Sequence, residues 1–459
     1  MKNIKRQIPV TKSEHYTIDI HDLGTRAEGI GKVDDFTIFI EKTLPGDRVE
    51  AQIIKVKKNF AFGKLIKIIE PSPLRQQPKC PIANQCGGCQ LQHMTYAGQL
   101  DYKRKKVQDV LERIGKIEDV EVKPTLGMEN PYAYRNKAQF PVRKENGQLK
   151  IGFFAPRSHR IIDTGTCDIQ HENNRSIIAT VRSFLLDYDI SIYDEEKHKG
   201  LVRHIVTKVG FHTDELMVCM VINGKVLPHS DILVEKLKAI TGMTSIVLNH
   251  NKAKGNVILG DETTVLYGEP TIRDTIGDIQ FEISPLSFFQ VNPVQTEVLY
   301  QKALEFAQLT GNETVWDAYC GIGSISLFLA QKAKMVYGVE IVPEAIEDAK
   351  TNALINEIEN VEFIVGAAEE VIPNKFKEEG IKADVIVVDP PRKGCDEKLL
   401  ETIVEMTPKR IVYVSCDPGT LARDLNYLTE NGYKVAEVQP VDMFPMTGHV
   451  ETVVRIERE

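Results

Sequence analysis

Glu313-Thr-Val-Trp-Asp-Ala-Tyr-Cys-Gly-Ile-Gly323, continued by SISLFLA at 324–330 and MVYGVE at 335–340, is the stretch that decides the fold. A short apolar strand runs into Asp317, a glycine-bearing turn follows, a helical run opens behind it, and a second apolar strand ends in Glu340. Strand, glycine turn, helix and strand form the opening unit of a doubly wound parallel sheet. The turn then lies at the carboxyl edge of the first strand, where glycines let a ligand approach the backbone. The same alternation continues through PEAIEDAKTNALINE (343–357), ADVIVVD (383–389) and RIVYVSC (410–416). Everything after about residue 275 therefore reads as one α/β domain.

The ligand of that turn can be narrowed. Glu340 stands 17 residues after Gly323, where a carboxylate can accept both ribose hydroxyls of an adenosine cofactor. A dinucleotide fingerprint needs a third glycine at position 326, which is Ser. The missing glycine and the leading acid Asp317 favour a cofactor with an ammonium group and no pyrophosphate, a description that S-adenosylmethionine fits.

Ahead of this domain, 459 residues leave room for about three domains of ~150 each. Residues 10–70 alternate apolar and polar positions in short runs broken by Gly and Pro, the pattern of a small β-barrel or sandwich. Its later strands carry Lys55, Lys57, Lys58, Lys64 and Lys67 with Phe60 and Phe62 between them, a mixture of cations and stacking faces that suits single-stranded or loop RNA. PSPLRQQPKC (71–80) marks a linker. A helix follows over about 95–115, with Leu100, Val107, Leu111 and Ile114 at helical spacing, and it is expected to pack on the catalytic domain. Residues 125–270 are mostly strands. The expected divisions are 1–72, 73–274 and 275–459.

Charge is distributed unevenly. Residues 1–170 carry 29 Lys and Arg against 20 Asp and Glu, net +9, whereas residues 171–459 are net −17 within a total of −8. A basic front of barrel, cysteine loop and helix, the last carrying Lys103, Arg104, Lys105 and Lys106, reads as a surface that docks a polyanion. The first residues lack the apolar core of a secretory signal and no apolar run reaches the ~18 residues of a membrane span, so a cytoplasmic protein is expected.

Three cysteines are clustered: Cys80, Cys86 and Cys89 form C-x5-C-x2-C, with Gly87 and Gly88 allowing a tight turn. Cys167 or His93 could complete four ligands, and spacing alone leaves zinc and an iron–sulfur cluster open. Cys416, in Ser415-Cys-Asp-Pro418, falls at the carboxyl edge of the sheet on the side of the cofactor turn, as does Asp389 in Asp389-Pro-Pro-Arg392. Cys395 is a rival nucleophile.

SCDPGTLARDL, MFPMTGHVETV, DAYCGIG, DPPRKG and LSFFQVNPVQT together resemble, in order and spacing, the motif set of the RNA uracil-5-methyltransferase family. The front half resembles that family's ribosomal branch, with a TRAM-type barrel over about 8–66 and a four-cysteine motif. The resemblance covers nearly the whole chain. It implies a Rossmann-like class I methyltransferase domain behind an OB-like TRAM barrel and an α+β central domain. It implies methylation at C5 of a uridine in a loop or bulge of 23S ribosomal RNA, with S-adenosylmethionine as methyl donor, by a monomer. By motif position it assigns Cys416 as nucleophile, Glu451 as base, Gln290, Tyr319, Glu340 and Asp389 to the cofactor, and Cys80, Cys86, Cys89 and Cys167 to a [4Fe–4S] cluster. Asn292 is a further candidate near the cofactor.

Transfer RNA is the alternative substrate. A radical methylthiotransferase would need C-x3-C-x2-C, which the chain lacks, and an RNA-binding protein without catalysis would not need both Cys416 and Glu451.

Overall fold

The computed structural model describes residues 8–459. Five strands, His15–Leu23, Gly29–Val33, Phe36–Ile40, Arg48–Val56 and Phe60–Glu70, close into a barrel in which the last two exchange places. The alternation seen in the sequence becomes the inside and outside of this barrel: Ile18, Ile20, Ile38, Ile40, Val49, Ala51, Ile53 and Ala61 form its core. Closure leaves no free sheet edge.

A second, mixed sheet of seven strands spans Lys137–Glu145 to Glu262–Gly268. Its central strand Leu216–Ile222 is buried at every position, and the helices Asn174–Asp187 and Ser230–Lys238 contribute Ile177, Val181, Phe184, Leu233 and Leu237 to its core. A hairpin of Ile272–Ile276 and Ile279–Ile283 straddles the expected boundary at residue 274. Its Ile272, Ile276, Ile279 and Phe281 belong to the core of the third domain.

That third domain is the doubly wound sheet. Its spatial order is Val361–Val365, Met335–Glu340, Thr314–Ala318, Val385–Val388, Arg410–Ser415, Glu451–Arg458, Tyr433–Val441. The first five strands are parallel, and Glu451–Arg458 runs antiparallel between its neighbours. The order reverses around Thr314–Ala318, so a crevice opens above its carboxyl end.

Helix Tyr96–Val110, capped by Thr95 and prolonged by a π-helical turn Leu111–Gly115, lies on this domain. Val107 and Leu111 share a core with Leu421, Leu425 and Leu428 of helix Pro418–Glu430, and Gly115 comes so close to the Ala422 carbonyl that a β-carbon would stand 3.2 Å from it.

Only part of the charge read from this helix faces outward: Lys105 is exposed and Arg104 partly so. Lys103 is completely buried and pairs with Asp442, whose other oxygen accepts from the Tyr96 hydroxyl at 2.9 Å. Arg104 donates to the Val122 carbonyl and Glu121, Lys105 to Asp22 and Asp109, and Lys106 to the Gly448 carbonyl at 2.8 Å. Of the four consecutive cations, helical spacing turns Lys103 and Lys106 inward, while Arg104 and Lys105 stay at the surface.

Candidate active site

The glycine turn follows strand Thr314–Ala318 with a run of unusual backbone. Tyr319 has φ +76°, Gly321 +55° and Gly323 +81°, of which only the first is strained for its residue type. Gly323 admits no side chain, since a β-carbon there would stand 2.8 Å from the Phe363 ring. The turn forms one wall of a small open cleft, lined also by Phe288, Gln290, Tyr300, Asp317, Ser324 and Asp389. Glu340 binds the turn from the next strand, accepting from the amides of Gly321 at 3.2 Å and Val342 at 3.0 Å.

The cleft is acidic. Burial raises the carboxyl of Asp317 to about 7, and burial followed by the neighbouring Asp317 raises Asp389 to about 7. Oδ2 of Asp317 accepts from the Ser326 hydroxyl at 2.5 Å, but Oδ1 is buried with no hydrogen-bond partner. Among the described residues no Lys or Arg lines this cleft. An unpartnered buried acceptor beside a second carboxyl is a setting for a cationic ligand, and an ammonium-bearing sulfonium cofactor fits it.

Sheet register explains how Cys416 meets Glu451, 35 residues away in sequence. Ser415 pairs with Thr452 across the antiparallel ladder, so the next residue of each strand, Cys416 and Glu451, meets at the same sheet edge. Burial, then Glu451, then Asp389 push the Cys416 thiol up to about 11, while Arg392 pulls it down. Burial and Asp389 push Glu451 up to about 8, again opposed by Arg392. Arg392 is thus the cation that opposes both shifts, and Cys416 remains partly accessible while Glu451 is buried. Cys395 is excluded as the nucleophile of this edge: it is buried behind it, its amide donating to Asp424 at 2.8 Å and its sulfur close to the Tyr413 hydroxyl. Asn292 is also set apart from the cleft. It caps helix Pro293–Ala307 and donates to the Met443 carbonyl at 3.0 Å.

The sequence profile described as tRNA (Uracil-5-)-methyltransferase matches residues 95–459, and the TRAM domain profile matches residues 9–66. The chain belongs to the RNA uracil-5-methyltransferase family. It is 57% identical over 454 residues to an RNA methyltransferase of Halalkalibacterium halodurans, covering 99% of both chains, and 56% identical over 452 residues to one of Clostridium tetani, covering 98% of both. The crystal structure of the Pyrococcus abyssi tRNA (uracil-54, C5)-methyltransferase in complex with S-adenosyl-L-homocysteine superposes with a TM-score of 0.78 at 29% identity, covering 96% of this chain and 99% of that one. The enzyme accordingly carries a class I methyltransferase domain and uses S-adenosylmethionine to methylate uracil C5 in RNA. No helix among the described residues is long and apolar enough to cross a membrane.

The cysteine corner stands apart from this edge. Among the described residues no group of three or more His, Cys, Asp and Glu side chains is arranged to hold a metal ion, so the expected ligand set is not formed. The four thiols nevertheless converge. The Gly88 amide points at the Cys86 sulfur at 3.4 Å, and Cys89 and Cys167 both pack against the cluster of Tyr134, Ile169 and Met446. Burial raises Cys89 to about 11 and Cys167 to about 12, with Cys86 adding to both. His93 lies elsewhere: burial and the Arg75 guanidinium lower it to about 4.

Sequence reading missed Phe288, Tyr300 and Ser324 in the cleft and Arg392 as the single counter-cation, since none carries a chemical signal by type and spacing alone. The turn itself gives a test. Gly323→Ala forces a side chain into a left-handed backbone against Phe363, so S-adenosylhomocysteine affinity measured by calorimetry is expected to fall at least about tenfold, the loss of about 1.4 kcal/mol. Unchanged affinity would detach the turn from cofactor binding.

Proposed function

We propose that the enzyme forms 5-methyluridine in 23S ribosomal RNA, with Cys416 as nucleophile and Glu451 as base. The observation that carries the chemistry is the register that sets these two side chains side by side at the sheet edge next to the cleft. The ribosomal substrate rests on the combination of a TRAM barrel with the cysteine corner, the arrangement of the ribosomal branch.

Gln290, Tyr319, Glu340 and Asp389 hold the cofactor, Glu340 from the end of the second strand and Asp389 from the fourth. When bound, S-adenosylmethionine supplies the electrophilic methyl group that C5 takes up. The target uridine leaves its stack to reach the edge. Arg392 stabilises the Cys416 thiolate, which adds to uracil C6 and moves the ring's electron pair toward C5 as an enolate. After C5 is methylated, the Glu451 carboxylate takes the C5 proton, the C5–C6 double bond re-forms, and Cys416 departs as thiolate. The barrel lysines 55, 57, 58, 64 and 67 lie in none of the ion pairs formed by described residues and flank a cluster of Phe39, Phe60 and Phe62, which suits them to hold the RNA.

The four cysteines are proposed as ligands of an iron–sulfur cluster. Three thiols of the 80–89 loop and Cys167 from a second segment, near enough for Cys86 to raise the other three, are a donor set suited to it. Its part is structural, because the reaction moves no net electrons.

In single-turnover assays with 23S fragments and transfer-RNA transcripts, Cys416→Ala should give no 5-methyluridine while still binding S-adenosylhomocysteine. Glu451→Gln should trap a denaturant-stable protein–RNA adduct on the 23S fragment. Activity in Cys416→Ala, or no adduct with Glu451→Gln, would sink the mechanism, and an adduct on transfer RNA alone would transfer the substrate assignment. Glu451 works deprotonated and its carboxyl is raised to about 8, so decay of the wild-type adduct should quicken as pH rises from about 6.5 to 8.5. A flat profile contradicts that assignment. Anaerobically purified protein should contain iron with broad absorption near ~400 nm and lose both in Cys167→Ser; stoichiometric zinc without iron overturns the cluster.

A further inference from the structure

The segment Asp442-Met-Phe-Pro-Met-Thr-Gly448 leads directly into the strand that begins at Glu451. It has no regular structure, and Met446 sits at φ +69°, a backbone angle that a side-chain-bearing residue holds only when its surroundings impose it. Those surroundings can be named, because almost every carbonyl of the segment is held from outside it. Gln295 donates to the Asp442 carbonyl at 3.2 Å, Asn292 to Met443 at 3.0 Å, Lys103 to Phe444 at 3.0 Å, and Tyr134 to Pro445 at 3.1 Å. The Leu91 amide donates to Met446 at 2.9 Å and Lys106 to Gly448 at 2.8 Å. Gln99 accepts from the Met446 amide at 2.9 Å.

Three of these groups come from one helix. Gln99, Lys103 and Lys106 are spaced i, i+4 and i+7, which places them on one face of Tyr96–Val110, and that face looks onto the segment. Gln99 and Lys103 are fully buried, and Lys103 is further fixed by Asp442, whose carboxylate also accepts from Tyr96. A helix contributed from outside the doubly wound sheet thus acts as a mould for the loop that delivers the proposed base. General-base catalysis depends on heavy-atom placement within a fraction of an ångström, and such placement comes from groups whose own positions are fixed.

We propose that Gln99, Lys103 and Lys106 are positioning residues for proton abstraction: through the 442–448 segment they set Glu451 against C5, and their loss slows release of the methylated RNA without preventing its formation. This rests on Glu451 being the base. Addition of Cys416 and uptake of the methyl group involve the opposite strand end and the cleft; Lys106 also faces the Asp417 carboxylate beside Cys416, whereas the Gln99 side chain bonds only to Leu91, Met94 and Met446. The defect therefore belongs to elimination.

The test uses the full-length enzyme, its RNA and S-adenosylmethionine in single turnover, with Lys106→Met, Lys106→Arg and Glu451→Gln in parallel. Lys106→Met should accumulate a transient methylated adduct that decays about ten- to hundredfold more slowly than in the parent, with unchanged S-adenosylhomocysteine affinity, melting temperature and KM for RNA. Lys106→Arg, which keeps a donor for the Gly448 carbonyl, should restore decay. An adduct in Glu451→Gln with none in Lys106→Met overturns the inference and leaves the base assignment standing. Absence of an adduct in both overturns the two together. A raised KM for RNA with normal adduct decay marks Lys106 as a phosphate contact and also overturns it. If Lys106→Met fails to fold, Gln99→Met, which removes the Met446 contacts without disturbing a charge, is read by the same criteria.

Discussion

The buried pair of Lys103 and Asp442 is the joint on which the architecture turns. Two charges taken wholly out of water cost several kcal/mol each, and their attraction offsets this only where the remaining hydrogen-bonding positions are filled. Here they are: Asp442 also accepts from Tyr96, and Lys103 also donates to the Phe444 carbonyl. The pair is less a source of stability than a demand for geometry, because either partner left alone would be an uncompensated charge in the interior. Helix Tyr96–Val110 is therefore fixed on the catalytic domain in one register. The chain that precedes it, barrel and cysteine corner included, is anchored to the sheet through that helix.

A second constraint is electrostatic and lies at the carboxyl edge of the sheet. Asp317, Asp389, Glu451 and Cys416 are all pushed toward their neutral forms by burial and by neighbouring acids, and Arg392 is the cation that opposes this at Cys416 and Glu451. An edge of this kind is poised for cationic and polarisable partners. The ammonium and sulfonium of the cofactor suit the carboxylates of the cleft, and in the proposed mechanism each proton held by Cys416 or Glu451 is one that the reaction must move. The apolar strands beneath, from Thr314–Ala318 to Arg410–Ser415, exclude water and so make these shifts large.

Much of this was legible in the sequence, for physical reasons. The strand–helix alternation begins after the hairpin that ends at Ile283, and it is readable because each parallel strand, buried on both faces, is a short apolar run followed by a helix. The turn Tyr319–Gly323 is legible because only certain residues tolerate such a backbone beside a ligand. Cys416 and Asp389 could be placed at strand ends by the same logic. What could not be read was side-chain direction. Lys103 and Lys106 look like any solvated cations in KRKK, and only the packing of the helix reveals that they face inward. Asn292 resembles a ligand-binding amide until its role as a helix cap is seen. The contact of Cys416 with Glu451 depends on the register of Arg410–Ser415 against Glu451–Arg458, which no local pattern encodes.

Charge carries the same lesson at larger scale. The net +9 over the first 170 residues already includes Asp22, Asp109 and Glu121, the partners of Arg104 and Lys105; what it omits is Asp442, which offsets the buried Lys103 from outside that stretch. Lys106 is turned to the Gly448 carbonyl. The strands Arg48–Val56 and Phe60–Glu70 present lysines with no acidic partner around three mutually packed phenylalanines, so the field that meets RNA is concentrated on the barrel. The division of labour is then geometric. In the proposed mechanism the barrel supplies attraction and the sheet edge chemistry, while Lys103 and Lys106 of the helix hold the segment that leads into the strand of Glu451.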